Sequence, residues 1–228
     1  MDYKKDIIKT IESMSGRYAP YNIFSDWIEL CALSISNACT MVHNKIWQDR
    51  EQLYTDTARK YTEAELEQFA RMFVLLGDAL TEELTDVLGQ VYMEAGMGSK
   101  YTGQFFTPFH LSELCARMGF TSSFEGEMTK LRDGMTELTI NEPSCGGGGM
   151  IIAACKVLKD NGVNFQKRLR VVAQDLDWKG VYMTYLQLSL IGCNAIVVQG
   201  DTLCEPYDIH KTPKDRIMRT PMNMGALI

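Results

Sequence analysis

Four consecutive glycines follow a short apolar run, and they constrain the fold more than any other feature of the chain. Residues 136–149 read TELTINEPSCGGGG, and a second apolar run comes directly after them. Glycine has no side chain to pack, and it adopts backbone conformations that other residues avoid. Such a run is typical of a turn at the carboxyl end of a strand, where a ligand lies against the main chain. We therefore expect a ligand-binding turn here.

The composition is that of an ordinary soluble globular protein. Of the 228 residues, 46% are apolar and 23% are charged, and no run of eighteen apolar residues or secretory signal occurs. The seven cysteines form no Cys-x-x-Cys pair, which favours reduced thiols in the cytoplasm over a disulfide framework. The three histidines lie far apart, without the spacing of metal ligands. We therefore expect a cytoplasmic protein with no membrane span and no metal site.

The net charge of −6 is unevenly distributed along the chain. Residues 1–100 contain 10 Lys and Arg against 16 Asp and Glu, whereas residues 101–228 contain 13 of each class. A protein that binds duplex DNA by itself usually has a strongly basic face, because phosphate neutralisation supplies most of the affinity. The charge pattern predicts that any contact with DNA is local or is supplied by a partner.

Residues 1–100 have a helical pattern throughout. Apolar residues recur every three or four positions between residues 63 and 95, which indicates amphipathic helices. Thr81 followed by two acids resembles a helix start, so we expect a break between Gly77 and Thr81. Residues 23–47 form a further apolar-rich segment that suits a buried helix. We interpret this region as a helical domain; a partner-docking or DNA-facing surface is the alternative.

Residues 101–228 alternate between strand-like and helix-like segments. Thr107 and Pro108 predict a helix start, with threonine as the cap, and a polar loop is expected at residues 121–133. No strand is expected after Asp201. The alternation is typical of a parallel sheet with right-handed crossovers. The fold class is therefore α/β, a partial doubly wound (Rossmann-like) sheet preceded by an all-α region. The predicted strands are residues 137–141, 169–173 and 195–198, and the crossover helices are residues 150–160 and 178–191.

Three acidic residues, Glu142, Asp175 and Asp201, stand close to the ends of the predicted strands. The carboxyl ends of parallel strands lie side by side along one rim, which is where open α/β sheets bind ligands. Asp175 stands where a carboxylate can accept from both hydroxyls of a ribose, and Leu176 can pack on a base. Asp201 can accept from an exocyclic amine. Together with the glycine turn, these residues favour a nucleoside-bearing cofactor over solvated acidic caps.

The glycine turn differs from the two common phosphate-binding turns. It lacks the Gly-x-Gly-x-x-Gly spacing that seats a pyrophosphate, and no Gly-Lys-Ser/Thr follows it as in a P-loop. A cofactor that has ribose and adenine but no phosphate groups fits better. S-adenosylmethionine is such a molecule.

Four segments, in order, resemble motifs of DNA adenine-N6 methyltransferases. Residues 142–148 (EPSCGGG) resemble the cofactor motif Asp-Pro-Ala-Cys-Gly-Ser-Gly, and residues 103–108 (GQFFTP) resemble the segment that precedes it. Residues 173–177 (AQDLD) and 199–203 (QGDTL) are similar to the next two motifs. The likeness is greatest to the modification (methylation) subunit of type I restriction systems, whose helical amino-terminal domain the acidic half resembles in position. The four matched segments together cover about residues 85–205.

The resemblance implies that the first two segments hold the methionine end of S-adenosylmethionine. Phe106 and Thr107 would lie there, with Pro108 fixing the turn. Glu142, which replaces the family's usual aspartate, would approach the methionine amine with an arm longer by one methylene. We interpret Cys145 as a small packing residue rather than a nucleophile. Pro143 and Ser144, which follow Glu142 in the same motif, are also assigned to the cofactor site.

The resemblance also implies how the nucleoside would be held. Gly146 and Gly148 would let the cofactor lie against the backbone. Asp175 would bind the ribose hydroxyls, Leu176 would pack on the adenine, and Asp201 would accept from the adenine amine.

One family motif, Asn-Pro-Pro-aromatic, has no match in the sequence. It holds the target amine and stacks on the flipped base, whereas residues 220–223 (TPMN) have an asparagine without paired prolines or an aromatic. In the doubly wound order 3-2-1-4, the first strand is flanked by the fourth. A strand at residues 138–140 would then have an unpaired edge. The tail, another chain or a continuation of this chain would cover it; we favour a homodimer or a partner subunit.

Three functional classes remain open. In the first, the chain is a DNA adenine-N6 methyltransferase of a restriction-modification system, or the cofactor-binding portion of one. It would need a partner or further sequence for methyl transfer and for contact with DNA. In the second, it is a non-catalytic S-adenosylmethionine-binding interaction protein from a mobile element. In the third, it is a relic fold that binds nothing.

Overall fold

The computed structural model describes residues 2–98, 105–120 and 125–224, and it has the expected mixed α/β architecture. A helical region comes first, and a small sheet with crossover helices follows. The helical region comprises α1 (Tyr3–Met14), α2 (Pro20–Cys39), α3 (Lys45–Ala58), α4 (Glu63–Glu82) and α5 (Val87–Glu94). The second region comprises α6 (Phe109–Gly119), α7 (Glu125–Arg132), β1 (Leu138–Glu142), α8 (Gly149–Asp160), α9 (Phe165–Arg168), β2 (Leu169–Asp175), α10 (Trp178–Leu190), β3 (Ala195–Gln199) and β4 (Ile217–Arg219).

The sheet has the order β1-β2-β3-β4, and its first three strands are parallel. Helices α8 and α10 connect these strands, so the predicted parallel sheet with helical crossovers is confirmed. The strands place Glu142 opposite Ala173 and Asp175 opposite Gln199. The carboxyl ends of the three strands therefore share one rim, as the sequence predicted.

The expectation that the tail contains no strand was wrong. Strand β4 pairs antiparallel with β3 and covers its outer edge. The buried Thr220 secures this pairing, because its hydroxyl accepts a hydrogen bond from the Ala195 amide at 3.0 Å and donates one to the Cys193 carbonyl at 2.7 Å. A three-residue strand is too short for alternation to reveal it in the sequence. Within the described residues β1 pairs with β2 alone, so the tail leaves the outer edge of β1 without a strand.

The predicted break between Gly77 and Thr81 was also wrong. Helix α4 continues through Gly77 to Glu82, and the Thr81 hydroxyl donates to the Gly77 carbonyl at 2.8 Å within the helix. The continuous buried stripe outweighs the cost of a mid-helix glycine, which is about 1 kcal/mol. The buried residues of this stripe are Phe69, Met72, Leu76, Ala79 and Leu80.

Three further boundaries differ from the predictions. The apolar segment at residues 23–47 belongs to two helices, and Asn44 caps the second by accepting from the Trp47 amide. Helix α6 begins at Phe109 with Pro108 as its N-cap, so Thr107, the expected cap, lies one position before the observed one. The described part of the predicted loop at residues 121–133 contains α7. The polar composition of this last segment pointed to a loop, whereas α7 buries Met128 and Leu131.

The helical region packs against the sheet region through α10. Nearly all of α10 is buried, and α2 lies along it. The ammonium of Lys179 donates to the hydroxyls of Tyr21 and Tyr92, each at 3.2 Å, and the Arg50 guanidinium donates to the Ile217 carbonyl at 2.8 Å. The division into domains at residues 1–100 and 101–228 stays a prediction. In the described part of the chain, no helix combines the length and apolar character needed to cross a bilayer.

Candidate functional site

The glycine turn connects the end of β1 to the start of α8 by a backbone path that only glycine adopts easily. Gly146 has a φ of +53° and Gly148 a φ of +89°, both in the left-handed region that side chains disfavour. The Cys145 amide donates to the Gln174 carbonyl at 2.9 Å, and the Gly148 amide donates to the Cys145 carbonyl at 2.7 Å. These bonds fix the turn beside the end of β2.

The protein's own side chains fill the space beneath the turn. A Cβ added at Gly147 or Gly149 would come within 3.1 Å of a carboxylate oxygen of Asp86, and one added at Gly148 would come within 3.2 Å of the Thr184 hydroxyl. A Cβ at Gly146 would instead lie 2.9 Å from the ring of Phe106. Internal packing therefore disfavours a side chain at each of these four positions, which was not predicted from the sequence.

A buried polar network holds the underside of the turn. The Gln187 side chain donates to Asp86 Oδ1 at 2.8 Å and to the Gly147 carbonyl at 2.6 Å, and it accepts from the Leu88 amide at 3.1 Å. Asp86 Oδ1 also accepts from the Gly89 amide at 2.8 Å. Burial raises the pKa of the Asp86 carboxyl, while the hydrogen bonds from Gln187 and Gly89 oppose that rise. The network makes the turn a rigid part of the core.

Three side chains beneath the turn, those of Asp86, Thr184 and Gln187, were not predicted from the sequence, although weak signals for them exist. Asp86 precedes α5, where an acidic residue is a common N-cap. Thr184 and Gln187 are polar residues within an otherwise apolar helix, and buried polar groups need partners. Nothing in the sequence shows that these partners are the carbonyls of the glycine turn, because the contacts span 38 to 101 positions along the chain.

Asp175 joins the second strand to the glycine turn. Its Oδ2 atom accepts from the Gly146 amide at 2.8 Å, and its Oδ1 atom accepts from the Asp177 amide at 3.0 Å. Its carbonyl accepts from the Gly200 amide at 2.9 Å, which ties the end of β3 to the same point. A carboxylate has about four acceptor sites, so Asp175 keeps lone pairs for a ligand hydroxyl.

A cavity of about 310 Å³ opens beside the turn and brings together five of the predicted cofactor-binding residues. Its other lining residues include Asp86, Ser112 and Met150, which were not predicted. A second cavity of about 400 Å³ shares Asp86, Phe106 and Thr107 with the first, and Pro108 lines that one. The predicted residues that line the first cavity are Phe106, Thr107, Ser144, Gly146 and Asp175.

Glu142 does not line this cavity. Its half-buried carboxylate accepts from the Ser144 amide at 3.2 Å, two residues along the same turn. Burial raises the pKa of the Glu142 carboxyl, and the negative charge of Asp175 adds to the rise. The side chain thus points back to its own backbone, and its assignment to the methionine amine stays a prediction.

The remaining predicted residues lie outside the cavity, on or beneath the rim. Gly148 lies over Thr184, and Leu176 is 68% exposed. Asp201 Oδ1 accepts from the Leu203 and Cys204 amides, and these bonds lower the pKa of its carboxyl. The Thr202 hydroxyl donates to the Pro143 carbonyl at 2.6 Å, so the loop after β3 lies against the glycine turn. The roles assigned to these residues in cofactor binding stay predictions.

Cys145 is buried within the turn, and burial raises the pKa of its thiol to about 12. A thiol with such a pKa is protonated at neutral pH and is a poor nucleophile. This environment suits a packing residue.

The part of the chain that contains this site also matches a known protein family. The model of the N-6 DNA methylase family matches residues 83–223, which is more than half of the chain. The chain belongs to the N-6 DNA methylase family. The matched range runs from the end of α4 to the residues after β4 and so contains the glycine turn, Asp175 and Asp201. Among curated proteins, no sequence matches this N-6 DNA methylase family member.

Proposed function

We propose that the chain binds S-adenosylmethionine beside the glycine turn and is the cofactor-binding part of a DNA adenine-N6 methyltransferase of a restriction-modification system. The likeness to the modification subunit of type I systems supports this assignment. The observation that carries the proposal is the 2.8 Å hydrogen bond from the Gly146 amide to Asp175, at the edge of a 310 Å³ cavity in a member of the N-6 DNA methylase family.

The residues around the cavity fit this cofactor better than a phosphate-bearing one. Within the described residues that line it, there is no Lys or Arg to neutralise a pyrophosphate. Asp175 has free acceptor sites for ribose hydroxyls, and the exposed Leu176 and the half-buried Asp201 would receive the adenine. Phe106 and Thr107 cover the other side. When bound, S-adenosylmethionine supplies the methyl group, and these residues orient it.

A partner completes the enzyme in this proposal. Methyl transfer to an exocyclic amine requires groups that hold the amine hydrogens, and residues 1–228 contain no Asn-Pro-Pro-aromatic motif. The outer edge of β1 pairs with no strand of the described residues. A second copy, another restriction-modification subunit or further sequence would add a strand there and supply the contact with DNA. The seven free cysteines suit a reducing compartment such as the cytoplasm.

Calorimetry tests the cofactor assignment. Wild-type protein is expected to bind S-adenosylmethionine, and Asp175→Ala should weaken binding at least about tenfold, because it removes the acceptor for ribose. Asp56→Ala, which removes an exposed carboxylate of α3, is the matched control and should bind as the wild type does. Absence of binding by the wild type would favour a relic fold and contradict the proposal.

The proposed role in DNA methylation is tested by radiolabelled methyl transfer to DNA, measured for the chain alone and with candidate partner subunits. Transfer with a partner is the expected result. A second candidate function, a non-catalytic S-adenosylmethionine-binding interaction protein from a mobile element, is favoured by the missing target-amine motif. Cofactor binding without transfer in any arm would support that candidate.

A further inference from the structure

Two buried polar side chains line the glycine-turn cavity and have no part in the cofactor contacts assigned above. Asp86 is 3% exposed and Ser112 is 0% exposed, and both line the 310 Å³ cavity. Within the described residues, the Ser112 hydroxyl has no hydrogen-bond partner. A buried hydroxyl without a partner costs about 1–3 kcal/mol, so a ligand that bonds to it gains affinity.

Asp86 is a buried carboxylate that lacks a cationic partner among the described residues. Both of its described hydrogen bonds, from Gly89 and Gln187, go to Oδ1. Its carboxylate lies against the backbone of Gly147 and Gly149, at the start of α8, where the helix dipole favours a negative charge. A buried charge is costly unless it is paired. A cationic group of a ligand in the cavity would supply the missing charge.

Asp86 and Asp175 contact different residues of the glycine turn. Asp175 meets the turn at the Gly146 amide, whereas Asp86 meets it at Gly147 and Gly149. Glu142, the residue expected at the methionine amine, bonds its own turn at Ser144 N and lies outside the cavity lining. Two carboxylates line the cavity, those of Asp86 and Asp175. The proposed function assigns Asp175 to the ribose, so the carboxylate left for a cation is that of Asp86.

We propose that Asp86 and Ser112 bind the amino-acid arm of the ligand. Asp86 accepts from the α-ammonium group, and the Ser112 hydroxyl donates to the α-carboxylate. The ligand class is then a nucleoside that carries a zwitterionic amino-acid arm. This assignment rests on the proposed function and moves the ammonium contact from Glu142 to Asp86.

Two ligands allow the contribution of the amino-acid arm to binding to be measured apart from that of the nucleoside. S-adenosylhomocysteine has the amino-acid arm, whereas 5′-methylthioadenosine has the same nucleoside and sulfur without it. Asp86→Asn keeps an oxygen for the Gly89 and Gln187 bonds but removes the charge. In calorimetry, this variant is expected to bind S-adenosylhomocysteine at least about tenfold more weakly than the wild type and 5′-methylthioadenosine within about twofold of it.

Two further variants complete the test. Ser112→Ala should weaken S-adenosylhomocysteine by about threefold or more and leave 5′-methylthioadenosine unchanged. Glu142→Gln tests the competing carboxylate, and the wild-type preference between the two ligands should persist in it. Asp56→Asn, on the exposed face of α3, is the matched control and should bind both ligands as the wild type does. Retained binding of 5′-methylthioadenosine shows that each variant is folded.

The outcomes distinguish this proposal from the proposed function. If the wild type binds both ligands and Asp86→Asn keeps the wild-type preference between them, whether the two affinities fall together or stay unchanged, Asp86 is a structural brace and this inference is overturned. If Glu142→Gln abolishes the preference, the ammonium lies at Glu142 and the inference is again overturned. If the wild type binds neither ligand, the proposed function itself fails.

Discussion

The two ends of the candidate cofactor site differ in how the protein holds them. At the inner end, the glycine turn rests on Asp86, Thr184 and Gln187, all buried and linked by hydrogen bonds. At the outer end, Leu176 is mostly exposed and Asp201 is half-buried, with its carboxylate bonded to the Leu203 and Cys204 amides. The inner end is therefore preformed, whereas the outer end is partly open to solvent. Stability should depend on the inner residues, and the outer residues should affect binding alone.

Thiol labelling measures the enclosure of the inner end and has the largest expected effect. With a pKa of about 12, roughly one Cys145 in ten thousand is a thiolate at pH 8, and the side chain is also buried. Iodoacetamide should modify Cys145 at least about a thousandfold more slowly than the exposed Cys115. Mass spectrometry of timed samples gives both rates, and unfolding in urea should make them similar. Equal rates in the native protein would mean that the turn is open.

Gln187→Leu breaks the network beneath the turn. The substitution removes the Gln187 partner of the Gly147 carbonyl and the Leu88 amide and leaves Asp86 with its bond from Gly89, so it should lower the free energy of unfolding by about 2–4 kcal/mol. Gln52→Leu, on the exposed face of α3, is the control and should change it by less than about 0.5 kcal/mol. Urea denaturation measures both. A similar small effect for the two variants would show that the network does not stabilise the fold.

Gly148→Ala tests the backbone of the turn. A φ of +89° disfavours alanine, and its Cβ would approach Thr184, so we expect a loss of about 1–3 kcal/mol. The same change at Gly77, which lies within α4 with open space around it, should stabilise the protein by about 0.5–1 kcal/mol. Thermal denaturation compares the two. Equal shifts of the same sign would contradict the geometry of the turn.

Leu176→Ala should have the smallest effect, and only on binding. Leu176 is mostly exposed, so the unfolding free energy should change by less than about 0.5 kcal/mol. Loss of its contact with adenine should weaken S-adenosylhomocysteine by roughly threefold. Calorimetry and urea denaturation give the two values. A large loss of stability with unchanged binding would reverse the proposed roles of the two ends.

The fold was predictable where local pattern and burial agree. The three parallel strands and their crossover helices follow from apolar runs bounded by glycines and acids, and the structure confirms them. The predictions failed where packing overrode local signals. Helix α4 passes through Gly77 because its buried stripe is continuous, and β4 forms because Thr220 satisfies backbone groups of β3.

Some residues of the candidate site could likewise be predicted from the sequence, and others could not. Strand ends and glycines can be read locally, so the sequence could indicate Gly146 and Asp175, and the structure brings these two together. The contacts of Asp86 and Gln187 join segments that are far apart in the sequence, and no local pattern specifies them. The direction of the Glu142 side chain likewise depends on the turn, because its carboxylate accepts from the Ser144 amide there.

Hydrogen–deuterium exchange of the whole chain, with and without saturating S-adenosylhomocysteine, tests the central claim most directly. With the ligand bound, we expect slower exchange in peptides that cover residues 145–150 and 174–178, and no change in α3. Binding without protection of these two segments, or protection confined to other parts of the chain, would contradict a cofactor site at the glycine turn.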